Sequence, residues 1–211
     1  MLPLLMELGA VSGWLLAYLL IIRRAWLDKV TGMPIQALLC NFAWELSFVF
    51  LHPTCTSLQL LFVLSCLLPD CVILGQAICY RKNDQTPASA WFKYANRLLW
   101  LGVFAIGAYY LPQLRESATH MESNFWINLL MSAAFPLMLL RRKSIAGQSF
   151  WIAFFKMTGT LFGFAYAFLY VPADAAAGMI LCPLIILLDL LYCLLLWRKC
   201  EQEGISPLSR Y

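Results

Sequence analysis

Long runs of apolar residues alternate with short polar segments along almost the whole chain. Seven of these runs are long enough to cross about 30 Å of hydrocarbon as α-helices. The predicted spans are residues 4–22, 33–51, 58–79, 98–114, 124–140, 149–170 and 176–197. The connections between them are short, and we find no linker and no internal repeat. The pattern therefore predicts an all-α integral membrane protein, a seven-transmembrane-helix bundle that forms a single domain over residues 1–211.

Lysine and arginine collect in every second connection. They follow the first, third, fifth and seventh spans: Arg23, Arg24, Lys29; Arg81, Lys82, Lys93, Arg97; Arg141, Arg142, Lys143; and Arg198, Lys199, Arg210. The alternate connections hold Arg115 alone. Because cytoplasmic loops of membrane proteins carry an excess of basic residues, we expect the N-terminus outside and the C-terminus in the cytosol.

Composition removes the soluble alternatives. The 211 residues are 62% hydrophobic and 12% charged, whereas about 25% of an ordinary soluble domain is charged. The formal net charge of +4 is spread over loops between apolar runs, so it does not predict a nucleic-acid surface. Whatever this protein does takes place in or at the edge of a lipid bilayer.

Five ionisable side chains remain inside the predicted spans: Glu7, Glu45, Asp70, Lys156 and Asp189. Glu7 and Lys156 lie near span ends, where a side chain can reach the interface at low cost. The other three lie about 18–20 Å from the start of their spans, close to the midplane, at about 1.5 Å of rise per residue. An acid at this depth costs about 2.5–3.5 kcal/mol, so we expect all three to face the interior of the bundle.

Burial favours a neutral acid over a carboxylate, and a neutral acid held in an apolar site can act as a general acid. Asn41 precedes Glu45 by one helical turn and is expected to orient its carboxyl group. Tyr192 follows Asp189 by three residues and is expected to do the same there. The alternative for each acid, and for Asp70 above all, is a structural hydrogen bond to a neighbouring helix.

Aromatic side chains make up 15% of the chain. Singly they are typical of packing, but together they could line a cavity whose ring faces stabilise a carbocation. The candidates are Trp44, Trp100, Tyr109 and Tyr166. Asn128, in the fifth span, is a candidate contact for a polar substrate head, or a cross-link between helices.

The sequence lacks the motifs that several kinds of enzyme and receptor require. No cluster of Asp residues is present to hold Mg²⁺ on a diphosphate, position 189 is not the lysine that a retinal protein needs, and no Ser/His/Asp set or HExxH lies in the spans. We therefore expect no metal and no cofactor. Acid chemistry on an apolar substrate, proton-coupled transport and a purely structural role remain.

Residues 21–48 read IIRRAWLDKVTGMPIQALLCNFAWELSF. This segment resembles the integral-membrane terpene cyclases of fungal meroterpenoid and indole-diterpene pathways and their bacterial relatives, the paxilline and pyripyropene type. The similar features are the dibasic helix end Arg23-Arg24, the turn Gly32-Met33-Pro34, and Asn41, Trp44 and Glu45 in an NxxWE pattern. The acid in LLDLLY, Asp189, is similar to the acid of the family's final helix, and Asp70 also resembles a family position.

The resemblance implies an isomerase or lyase that starts cyclisation with a proton and needs no diphosphate ionisation. Its substrate would be a prenyl chain, ending in an epoxide or an alkene, on an aromatic, indole or other heterocyclic head group. Glu45 is our choice of initiating acid, with Asp189 sharing the proton or stabilising positive charge. The membrane would be the cell membrane in a bacterium and the endoplasmic reticulum in a fungus.

A small proton-coupled transporter is the competing function. Acids near the midplane of a helix bundle are what proton relays use. The lack of an internal repeat counts against it, because many carriers are built from repeats.

Overall fold

The structure is a computed structural model that describes residues 2–51, 57–83, 90–110, 121–170 and 175–211. Seven α-helices account for most of these residues, and none of the described segments forms a strand. The helices are α1 Leu2–Asp28, α2 Ile35–Leu51, α3 Ser57–Tyr80, α4 Ala90–Tyr110, α5 Met121–Arg142, α6 Phe150–Tyr170 and α7 Ala175–Gln202. The all-α, seven-helix prediction is confirmed, while Arg115 lies outside the described residues.

Five of the seven helices are long and apolar enough to cross a membrane by themselves: α1, α3, α5, α6 and α7. The apolar part of α2, Ile35–Phe50, is shorter. In α4 the helix begins at Ala90 and not at the predicted residue 98, and its first two turns contain Lys93 and Arg97. The difference arises because hydropathy marks where a helix enters hydrocarbon, whereas the helix itself continues through polar residues.

Six helices form a closed ring in the order α1, α3, α2, α5, α7, α6, with α6 packing back against α1. The remaining helix, α4, lies outside this ring and packs against α5 and α2. Side chains that α1, α2, α3, α5, α6 and α7 direct inward therefore meet in one central region, whereas α4 presents much of its surface outward.

The helices α1 and α6 pack extensively against each other, and their contact depends on glycine. A side chain at Gly13 would begin 2.7 Å from the Cα atom of Gly159, and one at Gly159 would meet Trp14 at the same distance. Gly9 and Gly163 extend the two positions into facing GxxxG patterns, which are typical of closely packed membrane helices. Backbones in contact place the polar groups of α1 and α6 next to each other.

The basic connections gather at one end of the bundle. The Asn83 side chain donates to the carbonyl oxygen of Lys29 at 2.8 Å, which joins the segments that follow α3 and α1. Arg142 donates to the hydroxyl of Thr31, and Arg210 donates to the carboxylate of Asp28. This arrangement fits helices of alternating direction, and the assignment of that end to the cytosol stays a prediction.

Candidate active site

A central cavity of about 210 Å³ lies between α1, α2, α3, α5 and α6. Six aromatic side chains line it: Trp14, Tyr18, Trp44, Phe62, Phe125 and Phe164. Glu45 is the acidic residue of its wall, and Asn124, Asn128 and Thr160 are among its polar ones. The site is therefore an apolar, aromatic chamber with few polar groups and one carboxyl group on its surface.

We name Tyr18, Asn41, Glu45 and Asp70 the acid cluster. The Asn41 amide nitrogen lies 2.8 Å from a Glu45 carboxyl oxygen, 2.9 Å from an Asp70 carboxyl oxygen and 2.8 Å from the Tyr18 hydroxyl. All four side chains are buried, Asp70 completely so. The helical spacing of Asn41 and Glu45 on α2 brings these two together, as expected from the sequence, and α3 adds Asp70.

The acid cluster has more oxygen atoms than donors. An amide nitrogen carries two hydrogens, yet it faces three oxygens. In addition, the second carboxyl oxygens, Oε2 of Glu45 and Oδ1 of Asp70, are buried and have no hydrogen-bond partner among the described residues. Within the described part of the chain, these two carboxyl groups accept hydrogen bonds from Asn41 and from no lysine or arginine. The cluster is therefore two buried acids that share one amide.

A second polar group, which we name the ion-pair cluster, lies on α5, α6 and α7. Lys156 Nζ is 2.7 Å from an Asp189 carboxylate oxygen, and it also donates to Ser132 at 2.6 Å and to Asn128 at 3.3 Å. The indole ring of Trp14 lies 5.4 Å from the same nitrogen. The charge of Asp189 is thus neutralised inside the bundle.

The prediction that Lys156 reaches the interface is wrong, because only 1% of the residue is exposed. Its position in the second turn of α6 would permit an outward path. The loop before α6 covers that end of the bundle, with Gln148 and Ser149 fully buried, and Asp189 supplies a counter-charge inside. Turning inward thus gives the ammonium group three oxygen partners.

The sequence pattern predicted that Tyr192 orients Asp189, but the structure gives Tyr192 a different partner. Its hydroxyl group donates to the side-chain oxygen of Gln148 at 2.8 Å, and a tyrosine has a single hydroxyl proton to give. The buried Gln148 needs a donor, and Lys156 already satisfies one oxygen of Asp189. Tyr192 therefore fastens the α5–α6 loop to α7.

Asn128 connects the ion-pair cluster to the cavity. Its carbonyl oxygen accepts from Lys156, and its amide nitrogen donates to the Thr160 hydroxyl at 2.9 Å. Both Asn128 and Thr160 line the central cavity, whereas neither Lys156 nor Asp189 is part of its lining. The ion pair consequently reaches the cavity surface through these two polar side chains.

The four aromatic candidates separate into one that lines the cavity and three that do not. Trp44 lines it, and its indole N–H donates to the Ser123 hydroxyl at 2.8 Å. Trp100 and Tyr109 are on α4, outside the ring, and Tyr109 is 61% exposed. Tyr166 packs against Tyr170, with ring centroids 5.7 Å apart.

Sequence analysis missed several lining residues, notably Trp14 and Tyr18 on α1. Their four-residue spacing was visible and places them on one helix face. What the sequence did not show is that the GxxxG pattern of α1 turns that face toward α6 and the cavity. No group of three or more His, Cys, Asp or Glu residues suited to hold a metal ion occurs in the described part of the chain.

Comparison with known families identifies the protein family to which this fold and cavity belong. Residues 2–202 match the model of the Pyr4-like transmembrane terpene cyclases. The chain belongs to this family. The family's terpene cyclase activity is compatible with the aromatic lining of the central cavity. The family also accounts for the membrane helices and for a small prenyl-type substrate.

Individual relatives among the terpene cyclases are fungal and distant. The chain is 27% identical to "Terpene cyclase pyr4" of Aspergillus fumigatus over 210 residues, which cover 92% of this chain and 85% of the relative. It is 27% identical to "Terpene cyclase andB" of Emericella variicolor over 161 residues, 74% of this chain and 68% of the relative. A 42-residue stretch is 50% identical to "Terpene cyclase olcD" of Penicillium canescens and covers 20% and 17% of the two chains. No solved structure matches the chain significantly.

Proposed function

We propose that this terpene cyclase closes rings on a prenyl chain after protonation by Glu45. The substrate is a prenyl group with a terminal epoxide or alkene on an aromatic, indole or other heterocyclic head, as in meroterpenoid-type biosynthesis. The observation that carries this proposal is the geometry of Glu45. One of its carboxyl oxygens is held by Asn41 at 2.8 Å, while the other has no partner among the described residues in a side chain that lines the cavity.

A carboxyl group in this setting is suited to hold a proton and give it to a substrate. Glu45 and Asp70 share the amide of Asn41, so two carboxylates at once would leave two buried negative charges beside each other. Such a pair keeps at least one proton, which belongs to the pair and not to either acid alone. Of the two, Glu45 faces the cavity and Asp70 is enclosed behind it, which makes Glu45 the donor and Asp70 the proton reserve.

The proposed reaction begins with a proton transferred from Glu45 and ends with a proton returned to the protein. Glu45 gives its proton to the epoxide oxygen, the terminal C–O bond breaks, and the neighbouring alkene π electrons form the first ring bond. Each closure moves the positive charge to a new carbon until an adjacent C–H bond gives its electrons to form an alkene. That last proton returns to the acid cluster, so the product is an isomer of the substrate and the enzyme is regenerated.

A terminal epoxide is easier for the protein to activate by protonation than a terminal alkene. A carboxylic acid protonates oxygen more readily than carbon, and general-acid help is typically about 10²–10⁴-fold. The travelling cation is stabilised by ring faces, which the walls supply through Trp14, Trp44, Phe125 and their neighbours. Neither a metal nor a cofactor takes part in this proposal.

Asp189 has a different part in the reaction from Glu45. Because its charge is matched by Lys156, we assign it to positioning and not to proton donation. Lys156 fixes the carbonyl oxygen of Asn128, so the amide nitrogen of Asn128 points to Thr160 at the cavity wall. This fixed polar edge is placed to hold the head group, and both acids are needed for turnover.

The test supplies membranes containing the protein with farnesylated and geranylgeranylated phenols, with and without a terminal epoxide, in the presence of EDTA. We expect cyclised isomers of unchanged mass, with the epoxides converted faster. The Glu45→Gln variant is expected to form product about 10²–10⁴-fold more slowly. Glu7→Gln, a change on α1 at a carboxyl group outside the cavity lining, is the matched control and is expected to retain activity. Absence of product from every substrate, together with uptake into sealed vesicles, would favour the transporter function.

A further inference from the structure

A second cavity lies in the membrane-embedded surface between α2, α4 and α5. This cleft has a volume of about 350 Å³, larger than the central cavity. Its walls are apolar and include Leu39, Ala43, Val103, Phe104, Gly107 and Ile127. With no charged residue in this lining, the cleft suits a hydrocarbon chain.

Trp44 connects the cleft to the central cavity, because its side chain lines both. The indole N–H is held by Ser123 at 2.8 Å, and Phe48 packs on the ring at a centroid distance of 5.4 Å. Among the described residues, Trp44 is the one whose side chain the two linings have in common. The large cavity at the basic end of the bundle shares no lining residue with the central one.

The size of the central cavity indicates that a substrate needs this extra room. Its volume of about 210 Å³ is below the about 300–1,000 Å³ of ordinary small-molecule pockets. A prenyl chain joined to a ring-containing head group is a large ligand for such a space. The cleft offers apolar volume directly beside the wall that carries Glu45 and Trp44.

We propose that the α2–α4–α5 cleft is the prenyl-chain subsite of the enzyme, through which the substrate chain passes from the bilayer, beside Trp44, into the central cavity. The inference rests on the proposed function, since it assumes a prenylated substrate. It gives α4 a role outside the ring: this helix forms the outer wall of the subsite through Val103, Phe104 and Gly107.

Two glycines allow a matched test. A Cβ atom at Gly107 would meet nothing within 4 Å, so Gly107→Leu fills the cleft without a clash at its first side-chain atom. The same is true of Gly75 on α3, which is not part of the cleft lining. Gly75→Leu therefore makes the same chemical change on a neighbouring helix.

The first measurement compares KM and kcat for phenols that carry a geranyl or a geranylgeranyl chain with a terminal epoxide. With Gly107→Leu we expect KM for the geranylgeranyl substrate to rise about tenfold or more, which corresponds to about 1.4 kcal/mol, while the geranyl substrate changes less than twofold. Gly75→Leu is expected to behave as the wild type. Equal effects of both variants on both substrates would overturn the inference.

The second measurement does not depend on turnover. A geranylgeranyl phenol with a diazirine on its chain is photolysed in membranes, and the labelled peptides are identified by mass spectrometry. We expect label on the Val103–Ala108 segment of α4 in the wild type and its loss in Gly107→Leu. Label that is displaced by added phospholipid, but not by unlabelled geranylgeranyl phenol, would make the cleft a lipid site and refute the proposal.

The two measurements separate this inference from the proposed function. Cleft labelling without any cyclised product would leave the subsite in place and reject the cyclisation. Cyclised product without cleft labelling, and with normal kinetics in Gly107→Leu, would reject the subsite and leave the cyclisation in place. Absence of both label and product would reject both.

Discussion

The acid cluster and the ion-pair cluster place buried carboxyl groups within one ring of helices, yet they differ in one respect. Asp189 has a lysine at 2.7 Å, whereas the hydrogen-bond partner that Glu45 and Asp70 have among the described residues is the amide of Asn41. In the ion pair the two charges compensate each other. Two buried acids with no cation beside them among the described residues favour keeping a proton between them, which is why we propose the acid cluster as the proton source.

The comparison suggests a rule that the variants below can test, namely that the partner of a buried acid affects its chemistry more than its depth does. From depth alone Glu45, Asp70 and Asp189 are equivalent. In the structure the three acids differ in their neighbours. Lys156, which the sequence analysis expected to reach the interface, is buried and pairs with Asp189. We therefore expect a mutation in the acid cluster to lower turnover with little loss of stability, and a mutation in the ion-pair cluster to lower stability and turnover together.

The largest expected effect is on catalysis by Glu45→Gln. The amide keeps the shape of the side chain and an oxygen that can accept from Asn41, but it has no acidic proton. We expect turnover to fall about 10²–10⁴-fold, measured as cyclised product per mole of purified protein, with little change in melting temperature. Full turnover by this variant would remove Glu45 from the mechanism.

Asp189→Asn should instead destabilise the fold, because it leaves Lys156 buried without a counter-charge. Breaking a buried ion pair at one side costs about 3–5 kcal/mol, measured by thermal or denaturant unfolding in detergent. Lys156→Met combined with Asp189→Asn should recover most of that loss. A double variant no more stable than the single one would show that the pair is not what Asp189 contributes. Asp70→Asn, which strands no charge, should destabilise less.

Asn41→Leu is expected to weaken catalysis less than Glu45→Gln. The variant retains both acids but loses the amide that holds them together. Loss of hydrogen bonds worth about 1–3 kcal/mol predicts a decrease in kcat of about 10- to 100-fold, with KM almost unchanged. Asn128 belongs to the ion-pair cluster. For Asn128→Leu we therefore expect a larger change in the free energy of unfolding than in kcat.

The smallest effect concerns the helix contact that brings the two clusters together. Gly13→Ala adds a methyl group 2.7 Å from the backbone of Gly159, and overpacking of this kind costs about 1–3 kcal/mol. Gly75→Ala, with open space around it, is the control and should be neutral or slightly stabilising. Equal melting temperatures of the two variants would mean that α1 and α6 can separate without cost.

The fold was predictable because hydropathy alone specifies spans in a membrane protein. The ends of the helices were less predictable than their number. Helix α4 begins eight residues before its predicted span, because a helix can continue through polar residues such as Lys93 and Arg97. Asn41 and Glu45 were also predictable as neighbours, because they belong to one helix and lie one turn apart.

Contacts between helices were beyond the sequence. Whether Asp189 faces Lys156 or Tyr192 depends on how α6 and α7 rotate about their axes, and apolar spans carry little information about rotation. Trp100 and Tyr109 were expected in the cavity because nothing in the sequence showed that α4 lies outside the ring. The GxxxG patterns of α1 and α6 were the one available signal of helix rotation.

The short length of α2 has a consequence for the surrounding lipid. Its 17 residues extend about 26 Å, less than the about 30 Å of an average hydrocarbon core. A bilayer thins beside a helix that is too short for it, and Glu45 lies only six residues, or about 9 Å, before the end of α2 at Leu51. A thinner bilayer brings the lipid head groups closer to Glu45 and to the cavity that it lines. We therefore predict that the length of the lipid acyl chains affects activity, and reconstitution in a series of lipids would measure this effect.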